Sequence, residues 1–167
     1  MFIDFEASSL APDSWPIEVG LSWIDGGSVH TWSCLIRPHR TWSEAGWSPD
    51  SASVHGIKRA DLEAAPEAQE VAQEVRHWIG RRKVVSDAPT FDGIWMDRLA
   101  QTIGSTRLRL HDLHELASRT FSGSSLDWFY EGLEKRKAPH RAGPDSRRLA
   151  AAWQDASGGC GWGRAVS

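Results

Sequence analysis

Four carboxylates fall where apolar residues belong. Asp4 and Glu6 stand two apart in the strand-like opening segment Met1 to Glu6, so both side chains point to one side of a sheet. Asp92 shares a helical face with Trp95, Met96, Leu99 and Ile103, and Asp145 shares one with Leu149, Ala152 and Trp153. Taken singly, the first pair is better read as chance at a strand end, and the other two as helix-start acids favoured by the helix dipole. Taken together, they aim acids inward from separate elements. Ionised carboxylates gathered in a partly buried place repel one another and lose hydration, at a cost on the order of several kcal/mol per ion unless something compensates. Divalent cations are the natural compensation. Carboxylate oxygens are hard ligands and no Cys/His cluster accompanies them, which favours Mg²⁺ or Mn²⁺ over Zn²⁺. Two such ions about 3.5–4 Å apart stabilise both the attacking and the leaving oxygen of a phosphodiester hydrolysis.

Bringing these acids together requires a sheet with helices laid on it. Pro16 to Ile24 and Val29 to Ile36 are runs of β-formers separated by Asp25-Gly26-Gly27, which predicts an antiparallel hairpin. Pro38 ends it, and the polar stretch His39 to Ala52 reads as a long surface loop. From Pro66 the period changes: Val71, Val75, Trp78 and Ile79 recur on one helical face until Gly80, with Glu67 at the start and Arg81, Arg82 and Lys83 beyond the end. Val84-Val85 is a short buried strand, and a helix follows from Phe91 to Ile103, closed by Gly104. Leu108 and Leu110 alternating with Arg107 and Arg109 predict a further strand. Asp112 with Glu115 opens the next helix as a capping box, Ser124 or Ser125 caps a helix carrying Leu126, Phe129 and Leu133, and Pro144 suits the first position of the last helix. Strands followed by alternating helices and strands indicate an α/β fold. We expect one folded domain over residues 1–156 and a Gly-rich, loosely packed tail over residues 157–167.

Composition excludes several functions. A net charge of −3 argues against a protein that binds nucleic acid chiefly by neutralising phosphates with a basic surface, though it leaves room for a carboxylate site whose cations meet the phosphate. No apolar run is long enough to cross a bilayer and no secretory leader is evident, so a cytoplasmic location without membrane partners is expected. Cys34 and Cys160 are the only cysteines and lack CxxC spacing, which predicts free thiols. Most of the ten Trp residues are expected in or against the core.

With these motifs in place the chain resembles the DEDDh exonucleases. Ile3-Asp4-Phe5-Glu6-Ala7-Ser8-Ser9-Leu10 is similar to that family's first motif, and Val54-His55-Gly56-Ile57 with Asp61-Leu62 to the segment after its hairpin. Phe91-Asp92 matches the second motif, and His140-Arg141-Ala142 through Asp145 the third. The resemblance implies a ribonuclease H-like mixed five-stranded sheet with helices on both faces. It also implies a 3′→5′ exonuclease acting on single-stranded or 3′-ended nucleic acid. Under it, Asp4, Glu6, Asp92 and Asp145 hold two Mg²⁺ or Mn²⁺ ions and His140 acts as general base, a histidine's ordinary pKa suiting that task. Ala7 and Ser8 are expected to offer backbone contacts to substrate. Leu10 either wedges beside the terminal base or packs its own turn, and His55 either touches the terminal nucleotide or is structural. The chain departs from the family at Ser86-Asp87-Ala88-Pro89-Thr90, where His-Asn usually precedes Phe-Asp; this adds an acid beside the cleft, an alternative ligand to Asp92. Two other readings stay open, a catalytically weak nucleic-acid-binding module and a phosphodiesterase of short oligonucleotides.

Overall fold

The structure is a computed structural model that describes residues 1–105 and 108–159. Its centre is a five-stranded sheet in the order β3-β2-β1-β4-β5, made of β1 (Phe2–Ala7), β2 (Pro16–Asp25), β3 (Ser28–Leu35), β4 (Val84–Ser86) and β5 (Leu110–Asp112). β1, β2 and β3 pair antiparallel, whereas β4 runs parallel to β1 and to β5. The helices are α1 (Pro49–His55), α2 (Ala68–Ile79), α3 (Pro89–Gln101), α4 (Leu113–Thr120), α5 (Ser124–Lys135) and α6 (Ala142–Gly159).

Strand alternation divides the core between two faces. Ile3 and Phe5 of β1 pack with Val19, Leu21 and Val84 against Val71, Val75 and Ile79 of α2 and Trp95, Met96 and Leu99 of α3. Phe2 and Val85 face the other way, onto Leu113, Phe129, Leu149 and Ala152 of α4, α5 and α6. Asp4 and Glu6 alternate in step with Phe2, so the two acids are turned toward α6 rather than toward α2. A third cluster of Trp15, Ile17, Ile57 and Leu62, with Trp42 and Trp47 packed on it, anchors the segment that carries His55.

The mixed α/β sheet, the hairpin and the helix over residues 68–79 follow the sequence expectations; several boundaries differ for physical reasons. The polar stretch expected as loop folds in its second half into α1, where Ser48 Oγ accepts from Ser51 N (3.4 Å) and Pro49 occupies the first helical position. β5 starts at Leu110, because parallel pairing of Val84, Val85 and Ser86 with Leu110, His111 and Asp112 sets its register, and Leu108 and Arg109 precede it. Arg107, expected in that strand, lies outside the described residues. α5 is preceded by Gly123 (φ 53°) with no side-chain cap, so neither Ser124 nor Ser125 plays that part. Pro144 is the third residue of α6, still within the first turn, where a backbone N–H has no helical acceptor to lose. Residues 157–159, expected in the tail, complete α6; the remainder of the tail, with Cys160, lies outside the described residues. Cys34 is a free thiol. Among the described residues no helix is long and apolar enough to cross a membrane.

Candidate active site

Three segments meet at the carboxyl end of β1. Asp4 and Glu6 arrive from β1, Asp87 and Asp92 from the β4–α3 junction, and Asp145 from the first turn of α6. One carboxylate oxygen each from Asp4, Glu6 and Asp145 lie within 4.8 Å of one another, and so do oxygens of Asp4, Asp87 and Asp92. Asp4 thus belongs to two overlapping triplets. Ligand distances of about 2.0–2.1 Å for Mg²⁺ place neighbouring oxygens at most about twice that far apart, so each triplet fits a hard cation with small side-chain adjustments.

These acids are costly to ionise as they stand. Burial, followed by repulsion from Asp92, Glu6, Asp145 and Asp87, holds Asp4 well above the ordinary carboxylate range. Glu6 is pushed up to about 8 by burial, then by Asp145 and Glu18, with Arg141 opposing. Asp92, 1% exposed, is raised to about 7, chiefly by burial, although the Ser86 hydroxyl donates to its Oδ2. Burial raises Asp145 as well, while the Arg141 backbone N–H, donating to Asp145 Oδ2 at 3.1 Å, opposes it. Asp145 Oδ1 is buried without any hydrogen-bond partner. A buried acceptor left unmade is expensive, and this one belongs to a triplet of oxygens spaced to surround a cation.

The start of α6 is fixed to the sheet by residues outside the sequence expectations. Glu18 is 3% exposed and lies opposite Glu6 in the β1–β2 register. Its carboxylate accepts from Arg141 Nε (3.0 Å), Arg141 Nη2 (2.7 Å) and the Ala142 backbone N–H (2.9 Å), a bidentate clamp on the segment between His140 and Asp145. Gly20, opposite Asp4, is in near contact with the same segment: a Cβ there would stand 2.0 Å from the Ala142 carbonyl oxygen. Ser22 Oγ bonds Ser146 Oγ at 3.0 Å. The available signals were an acid inside the apolar run Pro16 to Ile24 and an Arg directly after His140.

His140 is exposed in the turn before α6, with φ 55°, a left-handed conformation uncommon for a residue with a Cβ. Its charge and backbone N–H both bear on Asp145. His55 is 5% exposed; its Nδ1 accepts from the Ile57 N–H (3.0 Å), so the neutral ring carries its proton on Nε2, which is buried without a partner. Burial holds its pKa below the ordinary histidine value, with Glu18 opposing and Arg141 adding to the fall. Leu10 is 70% exposed at the tip of the turn after β1 and does not pack that turn. Arg98 of α3 pins the base of the turn through the carbonyls of Pro12 (3.2 Å), Asp13 (2.6 Å) and Ser14. Ala7 is buried at the β1 irregularity. Ser8 is tied into the turn: its N–H donates to Trp15 O (2.9 Å), its carbonyl accepts from Ser48 N (2.8 Å) and its hydroxyl accepts from Trp15 N (3.0 Å). Ser8 therefore shapes the turn.

Comparison with known proteins bears on the family and the fold. The family model described as RNase_T, exonuclease, matches residues 1–153. No curated protein sequence matches the chain significantly. Among solved structures, the chain superposes on exonuclease X in complex with 5′ overhanging duplex DNA with a TM-score of 0.61 at 22% identity, covering 96% of this chain and 92% of that one. It superposes on the nuclease domain of 3′hExo, described as a DEDDh family member bound to rAMP, with a TM-score of 0.64 at 17% identity, over 92% of this chain and 88% of that one. E. coli exonuclease I in complex with a dA16 oligonucleotide gives a TM-score of 0.65 at 15% identity, over 92% of this chain and 39% of that one. These likenesses establish the ribonuclease H-like fold.

Proposed function

The chain belongs to the RNase_T exonuclease family, and we propose that it hydrolyses nucleic acid from the 3′ end, releasing nucleoside monophosphates with the help of two Mg²⁺ or Mn²⁺ ions. The observation that carries this reading is the pair of carboxylate triplets sharing Asp4, with the orphaned Asp145 Oδ1 in one of them. Asp4, Glu6, Asp92 and Asp145 would hold the cations, which when bound polarise the phosphodiester and offset the charge developing on its oxygens. A ring nitrogen of His140 takes the proton of the attacking water, a role suited to its exposed place next to Asp145. The buried Nε2–H of His55 is a hydrogen-bond donor for the terminal nucleotide, and Leu10 stands on the rim as an apolar wedge beside the last base. Polarity is supported by the solved neighbours described as 3′-exonucleases, one of them in recognition of a histone mRNA stem-loop.

The test uses 5′-end-labelled single-stranded DNA and RNA with Mn²⁺. A ladder shortening from the 3′ end, resistance of a circular strand and full inhibition by EDTA are expected, whereas cleavage of the circle would replace this reading with an endonuclease. In the same assay His140→Ala should lose about 10²–10⁴-fold in single-turnover rate, the ordinary contribution of a general base.

A further inference from the structure

The β4–α3 junction holds a carboxylate that the proposed cation site does not use. Asp87 follows Ser86, whose hydroxyl both accepts from the Ala88 backbone N–H (2.9 Å) and donates to Asp92 Oδ2. This turn presents Asp87 and Asp92 to the same side, and their oxygens fall with one of Asp4 inside 4.8 Å. The repulsion of Asp87 is felt at both partners.

A structural role for Asp87 would be to pair with Arg148. That contact stands at 4.0 Å, the outer limit of an ion pair. Arg148 is already committed elsewhere, its Nε donating to the carbonyls of Leu133 (3.3 Å) and Arg136 (3.1 Å). Among the described residues, Arg141, whose charge also bears on Glu6, is taken up by Glu18. Among the described residues, protein cations therefore leave the Asp4–Asp87–Asp92 triplet largely uncompensated. Beside it, the 7% exposed Asp145 has a buried oxygen without a partner, in the triplet that shares Asp4.

We infer that Asp87 is a direct ligand of the second divalent cation, together with Asp4 and Asp92, so that the protein holds two cations without help from nucleic acid. A third carboxylate supplies both an oxygen and a full negative charge, which a site relying on Asp4 and Asp92 would have to draw from a substrate phosphate. The inference rests on the cation-dependent reading above.

The experiment is a Mn²⁺ titration of the full cation-free chain in the absence of nucleic acid, reading free Mn²⁺ by its electron paramagnetic resonance signal. Two Mn²⁺ per chain are expected for the wild type. Asp87→Asn, which keeps the side-chain volume, should weaken one of the two by about tenfold or more, as the loss of one unit charge near a divalent ion demands. Glu6→Gln should weaken the other. Asp87→Ala provides a second variant, and the wild-type stoichiometry is itself decisive if either variant does not fold. A single Mn²⁺ in the wild type, lost in Glu6→Gln, would overturn the role of Asp87 and leave the proposed function standing. Unchanged titrations of both Asp87 variants would do the same. No Mn²⁺ binding at all would overturn both.

Discussion

Glu6 and Glu18 are register partners on adjacent strands, yet the fold serves them in opposite ways. Glu18 is met by two guanidinium N–H groups and a backbone N–H from the start of α6. Glu6 has repulsion from Asp145 and Glu18 set against the attraction of Arg141, and its pKa rises to about 8. The contrast shows that this protein is able to supply a counter-charge to a buried acid when the acid is part of the framework. At Asp4, by contrast, every charge that bears on the group is another carboxylate, and at Glu6 the attraction of Arg141 is outweighed. Glu18 belongs to the mould and Glu6 to the cavity.

Exchanging each acid for its amide breaks the comparison cleanly. Glu6→Gln should lower single-turnover hydrolysis by on the order of 10³-fold, since on the proposed reading it removes a cation ligand and the charge that positions the reacting phosphate. At the same time the cation-free protein should melt at an equal or higher temperature, because repulsion is relieved. A markedly destabilised Glu6→Gln protein would show that Glu6 is framework after all. Glu18→Gln should have the inverse profile with a smaller catalytic effect. It leaves Arg141 without its bidentate partner, at a stability cost of about 1–2 kcal/mol, discounted because the Arg141 side chain is 45% exposed. The rate should fall about tenfold through misplacement of the His140–Asp145 segment. Calorimetry and kinetics on the same preparations would decide, and an unaltered rate would detach Glu18 from the site.

The smallest effect concerns pH. In the cation-free protein Glu6 and Asp92 bind protons more tightly than their ordinary values of 4.5 and 3.8 allow, with folded values of about 8 and about 7. The folded state therefore carries more protons than the unfolded chain between these limits, and stability falls as pH rises from about 4 to about 8. Melting temperatures of the cation-free protein should drop by on the order of a few degrees from pH 5 to pH 8. On the proposed reading saturating Mg²⁺ should reverse the slope, because a cation would bind the deprotonated acids. A melting temperature that rises with pH in EDTA would contradict the picture of an uncompensated cluster.

The candidate ligands were legible because each violates a local pattern. An acid on the apolar face of a helix stands out whatever the partner, and Asp92 and Asp145 both do. Glu18 was not legible in the same way, since one polar residue in a β run looks like ordinary strand alternation, and only the docking of α6 buries it. Gly20 carries no chemistry at all; its importance comes from the Ala142 carbonyl being so near, a fact of tertiary packing. Helix α1 was signalled by Ser48-Pro49 but lacks apolar periodicity, so the polar character of residues 39–52 masks it. The start of β5 depends on its parallel partner and not on the Leu108/Leu110 alternation. Local propensity thus predicts the elements that carry their own amphipathic signal and misplaces those positioned by a neighbour.

Because Asp145 lies in α6 and Asp4 in β1, the set of acids is assembled only when segments about 140 residues apart are brought together. The closing contact, Ala142 and Ser146 settling against Gly20 and Ser22, spans most of the polypeptide, and contacts of such long range form late. A domain in which α6 has not yet docked on β2 therefore lacks the assembled set of acids. A slip between β2 and α6 would take the set apart without altering a single carboxylate.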